Sequence, residues 1–198
     1  MASTPCANKA LMTSLRFCAG EIVAPGVRTR IFFVDYDDIV KWPELPKVAT
    51  AKMGEIATYK GDFTLAADKK WLVIDLVNNK GQIEWETQGE GASRLFLNKM
   101  TIHHATISAD AAGLQRQFLG RSGVFLVQQR DGAFRVLGCE GYRPEITPKG
   151  STGEGVTGEM GTKLEISATD FAPAPYYVGK ITTEDGDISA ATGAAVVP

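Results

Sequence analysis

Hydrophobic and polar positions alternate with period two through most of this chain, which is the signature of strands rather than helices. In residues 29–36 (TRIFFVDY), Ile31 and Phe33 face one way while Phe32, Val34 and Tyr36 face the other. A strand covered on both sides is expected there. Residues 71–77 (WLVIDLV) repeat the pattern, with Trp71, Val73 and Val77 opposite Leu72, Ile74 and Leu76. Turn residues follow at 78–81. Residues 82–88 then place Ile83, Trp85 and Thr87 on one face and Glu84 and Glu86 on the other, which predicts a hairpin over 71–88 with one wet side. Residues 94–108 are too β-branched for a helix and predict one long strand or two.

One helix is predicted over 109–119, capped by Ser108, with Ala111, Leu114 and Phe118 at helical spacing and Gly120 ending it. The next signal is a hairpin over 121–139 turning at Asp131-Gly132, because Gly accepts the positive φ that a tight turn needs. Five glycines between 144 and 161 predict a long mobile loop. Residues 163–170 and 176–181 read as two last strands around a proline-bent connection, and the Ala, Gly and acid-rich stretch from Thr182 reads as a tail. Seven to nine strands with one short covering helix, long loops and terminal arms predict a mainly β fold, an antiparallel β-sandwich or barrel. The division expected is an N-terminal arm at 1–19, a single β domain at 20–182 and a C-terminal tail at 183–198.

Length supports one core: 198 residues suit one domain of ordinary size. The hydrophobic fraction of 44% and charged fraction of 22% exclude wholesale disorder. A net charge of −2 excludes a globally basic, nucleic-acid-coating surface. The charge is unevenly spread. Lys9, Arg16, Arg28 and Arg30 against Glu21 make residues 1–30 basic, and seven acids against two lysines make residues 151–198 acidic. Such ends suit a head-to-tail contact between copies. Cys6, Cys18 and Cys139 cannot all pair within one chain and form no metal-ligand spacing, so a reducing compartment is expected. Arg16 interrupts the N-terminal apolar stretch, against a secretory signal. The apolar runs IFFV and WLVI fall well short of the roughly 18–20 residues of a membrane helix, so a soluble protein with no membrane span is expected.

Candidate chemistry is sparse. Asp35, Asp37 and Asp38 cluster at a strand exit but lack the glycine and distal glutamate of a calcium loop. His103 and His104, adjacent on a strand, point to opposite faces and suit a structural role better than a shared metal. Cys139 and the serines show no nucleophile context. The glycine-rich stretch 150–158 lacks the lysine and strand–helix setting of a phosphate cradle. Trp42, Trp71, Trp85, Tyr142, Tyr176 and Tyr177 suit a carbohydrate- or cell-surface-binding platform, although core and interface aromatics are the commoner use. No enzyme, cofactor or metal is expected.

The order of elements carries a resemblance: a mid-chain helix, the hairpin VFLVQQRDGAFRVLG, a glycine-rich loop, KLEISATD and a final YYVGKI. Over about residues 20–182 this layout resembles the tail-tube proteins of bacteriophages and prophages. The resemblance implies a virion structural protein, assembled in the cytoplasm of a host bacterium. It implies homo-oligomeric rings, commonly hexameric, stacked with other virion proteins around a channel that passes DNA non-specifically, with no catalytic residues. The residues expected at subunit contacts are Arg28, Arg30, Trp42, Tyr142, Glu154, Glu159, Glu184 and Asp185. A carbohydrate- or cell-surface-binding β-sandwich module is the alternative.

Overall fold

In the computed structural model, residues 12–15, 20, 22–48 and 51–195 are described. The first half of the chain forms β1 (Val27–Asp35), β2 (Ile39–Lys41), β3 (Thr58–Tyr59), β4 (Thr64–Leu65), β5 (Leu72–Asp75), β6 (Gly81–Gln88) and β7 (Leu95–His104). The second half forms α1 (Ala109–Phe118), β8 (Gly123–Gln129), β9 (Phe134–Leu137), β10 (Glu145–Ser151), β11 (Gly161–Asp170), β12 (Tyr176–Tyr177), β13 (Lys180–Thr183) and β14 (Gly186–Ser189). Several of these strands are two residues long, below what alternation reveals, so the described residues hold fourteen where seven to nine were expected.

Two sheets face each other. One has six strands in the order β3-β12-β9-β8-β1-β5, antiparallel except where β12 meets β3, and the other has four in the order β10-β11-β7-β6. They do not close into a barrel, and the layout is sandwich-like. Ile31, Phe33, Phe125, Val127 and Leu137 of the larger sheet pack against Met100, Ile102, Leu164 and Ile166 of the smaller one. The helix covers one side of this core. Ser108 caps it by accepting from the Ala111 N–H, and Phe118 meets Phe33 edge-on at 5.0 Å between ring centroids.

The larger sheet is covered on its other face as well, as the doubly apolar run in β1 requires. Phe32, Val34, Leu126, Phe134 and Val136 face a second core with Tyr59, Phe63, Trp71, Tyr177 and Ile181. Trp42, Phe63 and Trp71 form a continuous aromatic row, at 5.5 and 5.4 Å between successive centroids.

The hairpin at Asp131-Gly132 forms as expected. β8 pairs antiparallel with β9, Gly132 has φ +98°, and the Asp131 carboxylate accepts from the Ala133 N–H. Residues 94–108 supply one strand, β7.

Four expectations need correction. The hairpin over 71–88 does not form, because β5 pairs with β1 and β6 pairs with β7 in the other sheet. The turn between them is a corner from sheet to sheet, with the Val77 N–H donating to the His103 carbonyl. Part of the expected mobile loop at 144–161 is strand: β10, residues 145–151, runs in register against β11, with Pro148 tolerated because β10 is an edge. Residues 176–181 are two short strands in different sheets rather than one. The expected tail is the fourth correction, since β14 pairs with β13, and Thr183 and Ala190 are buried.

Candidate functional site

Each carboxylate of the Asp35–Asp38 cluster meets a cation. Asp35 caps the turn that follows β1 and lies 3.4 Å from Arg121, Asp37 pairs with Arg143, and Asp38 lies 3.1 Å from Lys69. Hydrogen bonding from Arg143 holds the Asp37 carboxyl below the usual carboxylate range. The cluster is a set of surface ion pairs, and no group of three metal-ligating side chains occurs among the described residues. The histidines line a small cleft with Glu159 and Lys163 beneath the glycine-rich loop. His104 is fixed there: its Nδ1 lies 2.7 Å from the Asp75 carbonyl and its Nε2 3.0 Å from the Thr106 hydroxyl.

Around Cys139 the structure gathers groups that lie far apart in the sequence. A tight turn after β9 closes with a bridge between Cys139 and Tyr142. The Cys139 thiol donates to the Thr169 carbonyl at 3.2 Å, and burial pushes it up to about 11, so it is a poor nucleophile. Asp170 is fully buried. It accepts from the Phe171 N–H at 2.6 Å and from the Tyr59 hydroxyl at 3.3 Å, and burial raises its carboxyl to about 6. Desolvation, with Asp170 adding to it, raises the Tyr59 hydroxyl far above its ordinary value. Above these groups opens a cleft of about 470 Å³, walled by Trp42, Leu45, Tyr59 and Phe171. One sequence signal pointed here: Asp170 shares its face of β11 with Leu164, Ile166 and Ala168, which marks an acid at an inward position.

The aromatics do not form a platform. Trp71 and Tyr177 are 1% exposed, and half-buried Trp42 packs against the rings of Tyr36 and Phe63. Tyr176 stacks on Arg135, whose guanidinium carbon lies 3.6 Å from the ring centroid, and the same cation lies 5.5 Å from the ring centroid of Trp85.

The eight residues expected at subunit contacts are spread over the surface. Arg28 and Arg30 lie on β1, the latter 3.1 Å from Asp75. Trp42 lines the cleft and Tyr142 packs on Phe171 beside it. Glu154 and Glu159 lie in the β10–β11 loop, Glu159 at 3.0 Å from Lys80, and Glu184 and Asp185 form the β13–β14 turn. Of the seven acids after residue 150, four are engaged within the fold: Glu159, Glu165 with two lysines, buried Asp170, and Asp187 with Lys180. Of the basic start, residues 1–11, 16–19 and 21 lie outside the described residues, with Lys9, Arg16, Glu21, Cys6 and Cys18 among them.

The longest unpaired features lie elsewhere. β6 and β10 flank the smaller sheet, and among the described residues no strand pairs with their outer edges. Five of the eight residues of β6 and five of the seven of β10 are exposed. Beside β6, a shallow cleft of about 380 Å³ is lined by Ile83, Glu84, Trp85, Glu86 and Lys99.

What the fold defines is a mainly β, sandwich-like protein with a two-sided central sheet. No family model matches the chain, and no curated protein and no solved structure is significantly similar to it. Among the described residues no helix is long and apolar enough to cross a membrane.

Proposed function

We propose that this chain is a self-assembling virion structural protein of the tail-tube kind. Its copies join side by side into rings, hexameric in the form the resemblance implies, and the rings stack with other virion proteins around a DNA-conducting channel in the cytoplasm of a host bacterium. The observation that carries this reading is the smaller sheet, which ends in two long strands whose outer edges pair with no strand among the described residues. A row of unpaired N–H and C=O groups is a template for another strand, and proteins that remain monomeric cover or blunt such edges. β6 of one copy laid against β10 of the next is a head-to-tail contact, and repetition of that contact closes a ring. Half-exposed Trp85 on β6 supplies apolar area at the joint. Negative-stain microscopy of the purified chain tests this. Rings or tubes are expected, and a field of single small particles at every concentration tried contradicts it.

A further inference from the structure

We propose that the cleft above Cys139 binds an organic cation, an alkylammonium group held between aromatic rings and carboxylates. Three rings wall it: Trp42, Tyr59 and Phe171. Aromatic faces carry negative charge density, and cations recognised by proteins are commonly boxed by such rings. The charges at the cleft are all of one sign. Glu44 and Glu140 are its charged lining residues, and both are exposed. Neither has an ion-pair partner among the described residues. Two cations on adjoining segments are engaged elsewhere, Lys60 with Glu55 at 2.8 Å and Arg143 with Asp37 and the ring of Tyr36. Beneath the floor, Asp170 adds a carboxyl group hydrogen-bonded to Tyr59. No cationic side chain lines the cleft to receive an anionic ligand.

The walls are fixed in advance. Glu44 and Lys60 exchange backbone hydrogen bonds at 3.1 and 2.9 Å, which sets the segment bearing Trp42 against the strand end bearing Tyr59. Phe171, 62% exposed, is backed by Tyr142 at 5.9 Å between centroids. A site ordered before binding loses little entropy when its ligand arrives. This inference does not depend on the assembly reading: the cation is either a free ligand or a basic side chain of a second copy.

The test uses the full chain with choline as the cationic probe and 3,3-dimethylbutanol as its neutral counterpart of the same shape. Tryptophan fluorescence should change saturably with choline and not with the alcohol. The variants Glu44→Gln with Glu140→Gln, and separately Phe171→Ala, alter exposed side chains, and their thermal unfolding checks that the fold is kept. Each should weaken choline binding by at least about fivefold. Size-exclusion chromatography of the double glutamine variant separates the two sources. Loss of a larger species assigns the cation to a second copy, and unchanged elution with lost choline binding assigns it to a free ligand. No saturable response to choline, equal binding of the alcohol, or full binding in the folded double variant overturns the proposal.

Discussion

Asp170 stands at the end of β11 with its carboxyl group buried and, among the described residues, no ion-pair partner, so burial makes its ionisation oppose folding. Burial raises it to about 6 in the native state, against 3.8 when exposed, and the folded chain therefore holds this proton more tightly than the unfolded chain does. The destabilisation is complete above pH 6 and fades as the pH falls from there toward 4. Surface acids act in the opposite sense at lower pH. Hydrogen bonds from Lys149 and Lys163 hold Glu165 at about 2, so its contribution is present above its ordinary value of 4.5 and is lost as the pH falls below it. Denaturant unfolding of the wild type should show stability rising from about pH 7 to pH 5, and Asp170→Asn should flatten that rise. Equal slopes in the two proteins would remove Asp170 from the explanation. Glycines offer a second contrast. At Gly132 an added Cβ meets nothing within 4 Å, so Gly132→Ala costs only backbone strain, about 1 kcal/mol. At Gly123 an added Cβ would stand 2.1 Å from the ring of Phe33, inside the core. Gly123→Ala should lower stability by about 3 kcal/mol through overpacking, and thermal unfolding ranks the two.

At the scale of elements, the long periodic segments were legible and the partner choices were not. β1, β7, β8, β9, β11 and α1 lie where the pattern put them, because each carries enough apolar positions to declare its period. The 71–88 hairpin failed for a reason written in its own sequence. Residues 71–77 are apolar on both faces and suit a sheet covered twice, while β6 has one wet face and suits the outer sheet, so the two segments belong to different layers. β10 was hidden by Pro148 and Gly150, which read as loop signals yet are tolerated at an edge. β14 was hidden by small residues, although its hairpin with β13 closes the second core over Trp71, whose backbone N–H donates to the Thr182 carbonyl at 2.9 Å. Deletion of residues 184–198 should therefore destabilise the chain rather than merely trim it, by about 3 kcal/mol or more in denaturant unfolding. An unchanged midpoint would return this segment to the status of a tail. Phe118→Ala, which empties a site 2% exposed beneath the helix, should cost about 3–5 kcal/mol in the same measurement. The cleft was only partly visible beforehand, since it joins residues from 42 to 171 that no local spacing connects.

For the molecule as a whole, the acids after residue 150 do not stand out from the fold as one free arm. Four of the seven acids after residue 150 are satisfied internally, which leaves Glu154, Glu184 and Asp185 exposed at loop tips. Ion pairs at such positions contribute under about 1 kcal/mol each and are screened by salt. Association through strand edges and apolar area should therefore persist at high ionic strength. This makes assembly the property that separates the account from its rivals, and mass is its most direct readout. Mass photometry and sedimentation of the purified chain across a concentration series, at low and high salt, should find particles at a fixed multiple of 21.3 kDa together with larger stacks. A single species of 21.3 kDa under every condition would contradict the account.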